Sequence, residues 1–145
     1  MSKSFEDLDV WQRSRALAVC VYRALQACKD YGFRDQITRA AVSIPSNIAE
    51  GEERITHKEF AQFVGYAKGS AGELRTQLMI AADLGYLTEN NAAELVNESA
   101  QISKMLFGLI QSLKKIILKP PLVQKSFFLD SNVLNLNFPL KLDYA

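Results

Sequence analysis

Leu95, Ser99, Ile102, Leu106, Leu109, Leu113 and Ile116 follow one another at alternating intervals of four and three residues, in a stretch without proline. That spacing keeps one stripe of an α-helix facing the same way for its whole length, the seam of a packed bundle. Met105, Phe107, Ile110 and Ile117 add apolar surface outside the seam. A helix of this kind cannot stand alone in water, so the rest of the chain must supply partners.

Three further segments do so. The first is expected over Leu8–Cys28, with Asp7 as its N-cap. Val10, Leu17, Val21, Ala24 and Cys28 form one apolar stripe, and Trp11, Ala18, Tyr22 and Leu25 a second beside it. Tyr31-Gly32 reads as its terminator. The second segment covers Arg34–Glu50, with Gly51 as its stop. Thr56-His57-Lys58-Glu59 is a capping box for the third, which runs to Asp83 and stops at Gly85. Phe60, Phe63, Ala67, Ala71, Leu74, Leu78 and Ala81 mark its core side. Gly65, Gly69 and Gly72 leave a groove for close approach of another helix. Thr88 caps the fourth, Glu89–Leu118. Short connections between long amphipathic helices predict an all-α, antiparallel up-down four-helix bundle over residues 1–118.

Pro45 lies inside the second helical pattern. Ile37, Ala41, Ile44 and Ile48 would face the core, while Arg39, Ser43, Asn47 and Glu50 recur on another face. Proline lacks the N–H and crowds the carbonyl of Ala41, so the pattern predicts a kink costing roughly 3 kcal/mol. Packing of a bent helix is the plain reading. The polar stripe is either a solvated side or a subunit junction where these groups pair across chains.

Lys119-Pro120-Pro121 ends the fourth helix. In residues 119–145, Leu134, Leu136, Phe138, Leu140 and Leu142 alternate with polar residues, but Pro139 interrupts them and there is no partner strand. This region reads as an irregular or disordered tail, or else as an apolar arm that docks on a neighbour.

Charge narrows the function. Of 17 basic and 16 acidic residues, Lys119, Lys125, Lys141, Asp130 and Asp143 lie beyond Leu118, leaving the helical region formally neutral. Any nucleic-acid site must therefore come from local clustering or from repetition in an oligomer. Cys20 and Cys28 would sit roughly 12 Å apart on one helix, too far for a disulfide, and read as small core residues of a cytoplasmic protein. No apolar run is long enough to span a bilayer. His57 is the only histidine and has no ligand partners at zinc spacing, so neither a metal site nor a cofactor is expected. Gly65-x-x-Lys68-Gly69-Ser70 has the wrong order and setting for a phosphate loop. No constellation names an enzyme.

Several stretches resemble a known family. They are Phe5-Glu6-Asp7-Leu8-Asp9-Val10-Trp11-Gln12, Ala40 to Gly51 around Pro45, Lys58-Glu59-Phe60, Gly69-Ser70, Gly72-Glu73-Leu74, Thr76-Gln77-Leu78 and Ile102-Ser103-Lys104-Met105-Leu106. The family is that of four-helix bundle proteins first named for intervening sequences in bacterial 23S ribosomal RNA genes. The accessory protein of diversity-generating retroelements is similar in architecture. The resemblance covers residues 5–118 and implies a ring-shaped homopentamer. It also implies a role with RNA or DNA, alongside a reverse transcriptase or another protein partner. Lys68 stands where an arginine is common, and Glu52-Glu53 adds negative charge beside Arg54. On this reading Arg13, Arg15, Arg39, Arg54, Lys58 and Lys68 are the candidate phosphate contacts. Arg39, Ser43, Pro45, Asn47 and Glu50 are the candidate oligomer interface. A protein-interaction ring that binds no nucleic acid is the alternative.

Overall fold

A computed structural model describes residues 4–119. A 3-10 turn, Phe5–Asp7, precedes four α-helices: α1 Asp9–Ala24, α2 Tyr31–Glu52, α3 His57–Asp83 and α4 Glu89–Leu118. Every regular element among the described residues is helical. α1 packs on α2 and α4, while α3 packs on α2 and α4; the backbones of α1 and α3, and of α2 and α4, stand diagonally apart. The readings for residues 120–145 lie outside the described residues.

One core joins all four helices. Leu17, Val21, Leu25, Ile37, Ala41, Ile44, Ile48, Val64, Leu74, Leu78, Ile102 and Leu106 are buried in it. Each fully buried leucine or isoleucine contributes about 1.5–3 kcal/mol of transfer free energy. The four-residue core stripe of α2 is buried as its spacing predicts. Ser99 belongs to the α4 seam because its buried hydroxyl donates to the Ala71 carbonyl at 2.9 Å, tying α4 to α3.

The caps explain where the chain turns. Thr56 Oγ accepts the Glu59 N–H at 3.1 Å, and Thr88 Oγ accepts that of Asn91 at 3.2 Å. The Glu59 carboxylate accepts the Thr56 hydroxyl at 2.9 Å rather than reaching a backbone N–H, so the expected box is half made. At the end of α3, Gly85 takes φ +74°. The N–H groups of Gly85 and Tyr86 then reach the Ala82 and Ala81 carbonyls at 3.0 and 2.8 Å. This is the paired closure that a left-handed residue permits.

The first two helices depart from expectation at their ends. Asp7 does not cap α1; its carboxylate accepts the Ser4 N–H at 3.1 Å inside the 3-10 turn. α1 stops at Ala24, and Tyr31-Gly32 opens α2 instead of closing α1. Asp30 is the reason: its Oδ1 accepts the Phe33 N–H at 3.1 Å and starts the helix there. Its Oδ2 accepts the Tyr86 hydroxyl at 2.9 Å, fastening the α1–α2 connection to the α3–α4 connection. That bond pushes the Tyr86 phenol up from its ordinary pKa.

Other small residues also move from their expected roles. Gly51 lies within α2, buried, and does not terminate it. A Cβ there would sit 2.6 Å from the Phe63 Cβ, so glycine lets α2 meet α3. A Cβ at Gly65, Gly69 or Gly72 would meet nothing within 4 Å, so no helix of the same chain uses that stripe. Cys20 is exposed, one residue and about 100° from the buried Val21. Cys28 is half-buried against the core.

Candidate functional site

Pro45 is accommodated within α2, which continues through it as a single helix. Side chains on the polar side fold back onto the helix's own carbonyls. Thr38 Oγ1 donates to the Arg34 carbonyl at 2.7 Å, Ser43 Oγ to that of Arg39 at 2.8 Å, and Asn47 Nδ2 to that of Ser43 at 2.8 Å. Such i to i−4 bonds occupy the short side chains locally and favour bending. Arg39, Asn47 and Glu50 line the surface groove beside them, with one Glu50 oxygen accepting from Arg54.

That groove lies between α1 and α2 and has a volume of about 470 Å³. Arg39, Ser43, Asn47 and Glu50 line it together, with Tyr22 of α1 and Val42 of α2 among its walls. Tyr22 is 54% exposed and Val42 41%, which gives the polar stripe an apolar margin. Four of the five candidate interface residues therefore converge. Pro45 is half-buried behind them and does not line the groove.

The six candidate cations are dispersed. Arg13 faces α4, where Nε and Nη2 donate to the two Glu98 carboxylate oxygens at 2.8 and 2.7 Å. Nη2 also donates to Gln101 at 2.7 Å. This two-pronged pairing holds the Glu98 carboxyl below the usual carboxylate range and raises the Arg13 guanidinium further. Arg54 donates to Glu50 Oε1 at 2.7 Å and lies over the Phe63 ring, 4.7 Å from its centroid. Arg15 lies over Trp11 at 5.4 Å. Arg39 and Lys58 are exposed. Lys68 is half-buried in a groove between α3 and α4, beside Ser103, Lys104 and Phe107. Among the described residues, only Arg13 and Arg54 of these six have a carboxylate within 4 Å. The described residues hold no group of three histidine, cysteine or carboxylate side chains placed for a metal ion. No described helix is long and apolar enough to cross a membrane.

Sequence reasoning did not single out Ser103 and Lys104 as site residues, and it counted Tyr22 and Phe107 only as apolar surface. Tyr22 was visible as a stripe residue, but its place opposite the α2 signature depends on how α1 packs. The Lys68–Lys104 juxtaposition depends on the register of two helices, which periodicity does not set.

The geometry and the signature sit in a known setting. The family model of the 23S rRNA-intervening sequence protein matches residues 6–108, from the first turn into α4. The chain belongs to that family. A solved relative is the 1.70 Å crystal structure of a protein with unknown function from the S23 ribosomal protein family of Bacteroides thetaiotaomicron VPI-5482. It is 28% identical, with a TM-score of 0.66, over 70% of this chain and 97% of that one. No functionally curated protein matches this chain. The family match contains all ten candidate site positions, from Arg13 to Lys68, and so places the signature and the cations within the shared region.

Proposed function

We propose that this family member is a non-enzymatic homo-oligomer that binds structured RNA or DNA. Its protomer is an antiparallel up-down bundle, and five copies form a ring in the cytoplasm. The cyclic packing of the helices in chain order supports the up-down arrangement. The resemblance described above supports the number five.

The observation that carries the reading is the α1–α2 groove. Arg39 and Glu50 bring opposite charges to one open surface, with the Asn47 amide between them and Tyr22 and Val42 on its walls. A second copy can bury the apolar margin and pair Arg39, which has no carboxylate within 4 Å among the described residues, while Glu50 keeps its Arg54 partner. Burial without such pairing would cost about 1–3 kcal/mol for each unpartnered polar group, so the contact is selective. With Arg39 assigned to this junction, Arg15, Lys58 and Lys68 are the cations left for phosphate. One set on a neutral protomer is weak, whereas five sets around a ring focus a potential.

A protein-interaction ring that binds no nucleic acid, its partner docking on the apolar outer surface, is the second reading. Met79, Ile80 and Leu84, all exposed near the end of α3, favour it. Sedimentation velocity of the full chain, alone and with a labelled structured RNA, tests the proposal. The expected result is a species five times the 16.2 kDa chain mass that carries the RNA with it. A monomer at micromolar concentration would sink the ring, and an oligomer that leaves the RNA behind would favour the second reading.

A further inference from the structure

The groove between α3 and α4 has a chemistry of its own. Lys68 enters it from α3, and Ser103, Lys104 and Phe107 enter from one turn of α4. Its volume is about 240 Å³. That is below the roughly 300–1,000 Å³ of pockets that enclose a drug-sized molecule, and suits a chain that passes over it.

Four observations point to one kind of ligand. First, two lysine side chains line the groove, and neither has a carboxylate within 4 Å among the described residues. An anion between them would relieve their repulsion, and lysine binds phosphate as a point charge. Second, the Ser103 hydroxyl lines the groove and makes no hydrogen bond among the described residues, so it is open to a ligand oxygen. Third, the Phe107 ring is 53% exposed and joins none of the aromatic pairs among the described residues. Fourth, Gly65 and Gly72 share a face of α3 with Lys68, and a Cβ at either would meet nothing within 4 Å. The helix surface is therefore low on both sides of the lysine.

We infer that this groove binds a single-stranded nucleic-acid segment, taking one backbone phosphate between Lys68 and Lys104 and stacking the adjacent base on Phe107. The site rests on the nucleic-acid reading above and adds to it a location and a strand type. Cations that track the backbone, beside an exposed aromatic ring that accepts any base, are the two elements of sequence-tolerant single-strand binding. A duplex would keep its bases stacked inside and leave Phe107 without a role.

The test is fluorescence anisotropy of the full chain with a labelled fifteen-nucleotide thymidine oligomer, across a salt series. Lys68→Ala and Lys104→Ala should each weaken binding about 5- to 10-fold at low salt, and removing both should lower the salt slope by about 0.7, the share of one phosphate. Phe107→Ala and Phe107→Leu should weaken binding at least about fivefold while leaving the slope unchanged. Because Phe107→Leu keeps the apolar bulk, a loss in that variant reports the ring and not the packing. If the oligomer binds and all four variants match the wild type, the groove is not the site, though the nucleic-acid reading stands. If neither the oligomer nor a structured RNA binds at 50 mM salt (roughly the low end of such titrations), both readings fall. If polyglutamate binds in a lysine-dependent way while the Phe107 variants behave as wild type, the groove takes acidic protein and the inference is overturned.

Discussion

Gly51 is a point of close approach between α2 and α3. Its absent side chain leaves room for Phe63 and Phe60, the latter with its Cδ2 3.0 Å from where a Cβ would lie. Gly51→Ala gains helix propensity of about 1 kcal/mol but drives its Cβ into the Phe63 Cβ and the Phe60 ring and carbonyl, pushing α2 and α3 apart, so a net loss of about 1–3 kcal/mol is expected in urea unfolding. Gly69→Ala meets no such neighbour and should stabilise the protomer by about 0.5–1 kcal/mol in the same assay. Gln77 offers a third case. Its Nε2 donates to Glu73 at 3.2 Å, but its buried Oε1 has no partner among the described residues. Gln77→Leu removes that unpaired oxygen at similar volume and should raise stability by about 1 kcal/mol. The Arg13–Glu98 pair adds a pH dependence. The Glu98 carboxyl is held low by the guanidinium, so the pair's contribution is fully present above the unfolded carboxylate pKa of roughly 4.3 and is lost as pH falls through the folded value. Both partners are about a third exposed, so Glu98→Gln should cost only about 0.5–1 kcal/mol at pH 7. Its urea midpoint should approach that of wild type as the pH is lowered from about 5 toward 3.

At the scale of elements, α2 poses the sharpest question. Proline in a helix interior costs about 3 kcal/mol relative to alanine, yet α2 carries Pro45 directly behind the polar groove. If that helix is shaped for a neighbour, Pro45→Ala should weaken self-association at least about tenfold while far-UV circular dichroism stays at or above wild type, as sedimentation equilibrium would reveal. α3 and α4 were legible to the residue, because Thr56 and Thr88 cap them and Gly85 supplies the left-handed turn. α1 and the start of α2 were not. Asp7 has the side chain of a cap and Gly32 the backbone freedom of a stop, but Ser4 claims the first and Asp30 overrides the second. Local chemistry offered two consistent solutions there, and tertiary contact through Tyr86 accompanies the one adopted. The α2 signature stripe was readable from its period. The partners of Arg13, and the neighbours of Lys68, come from α4 and required the packed helices.

For the molecule as a whole, near-neutral charge and a surface of dispersed cations argue that a single protomer binds phosphate weakly. Two of the six candidate cations are held by carboxylates, which leaves repetition as the source of any strong field. Self-association and nucleic-acid binding are thus two parts of one account: the α1–α2 groove would build the ring, and the outward cations would act through it. The most direct measurement is the affinity of the full chain for a structured RNA, followed by anisotropy from low to physiological salt. The account predicts a steep, linear fall of log affinity with log salt, with a slope corresponding to several phosphates and therefore to more than one protomer. An affinity that does not change with salt, or no binding at the lowest salt, would contradict it.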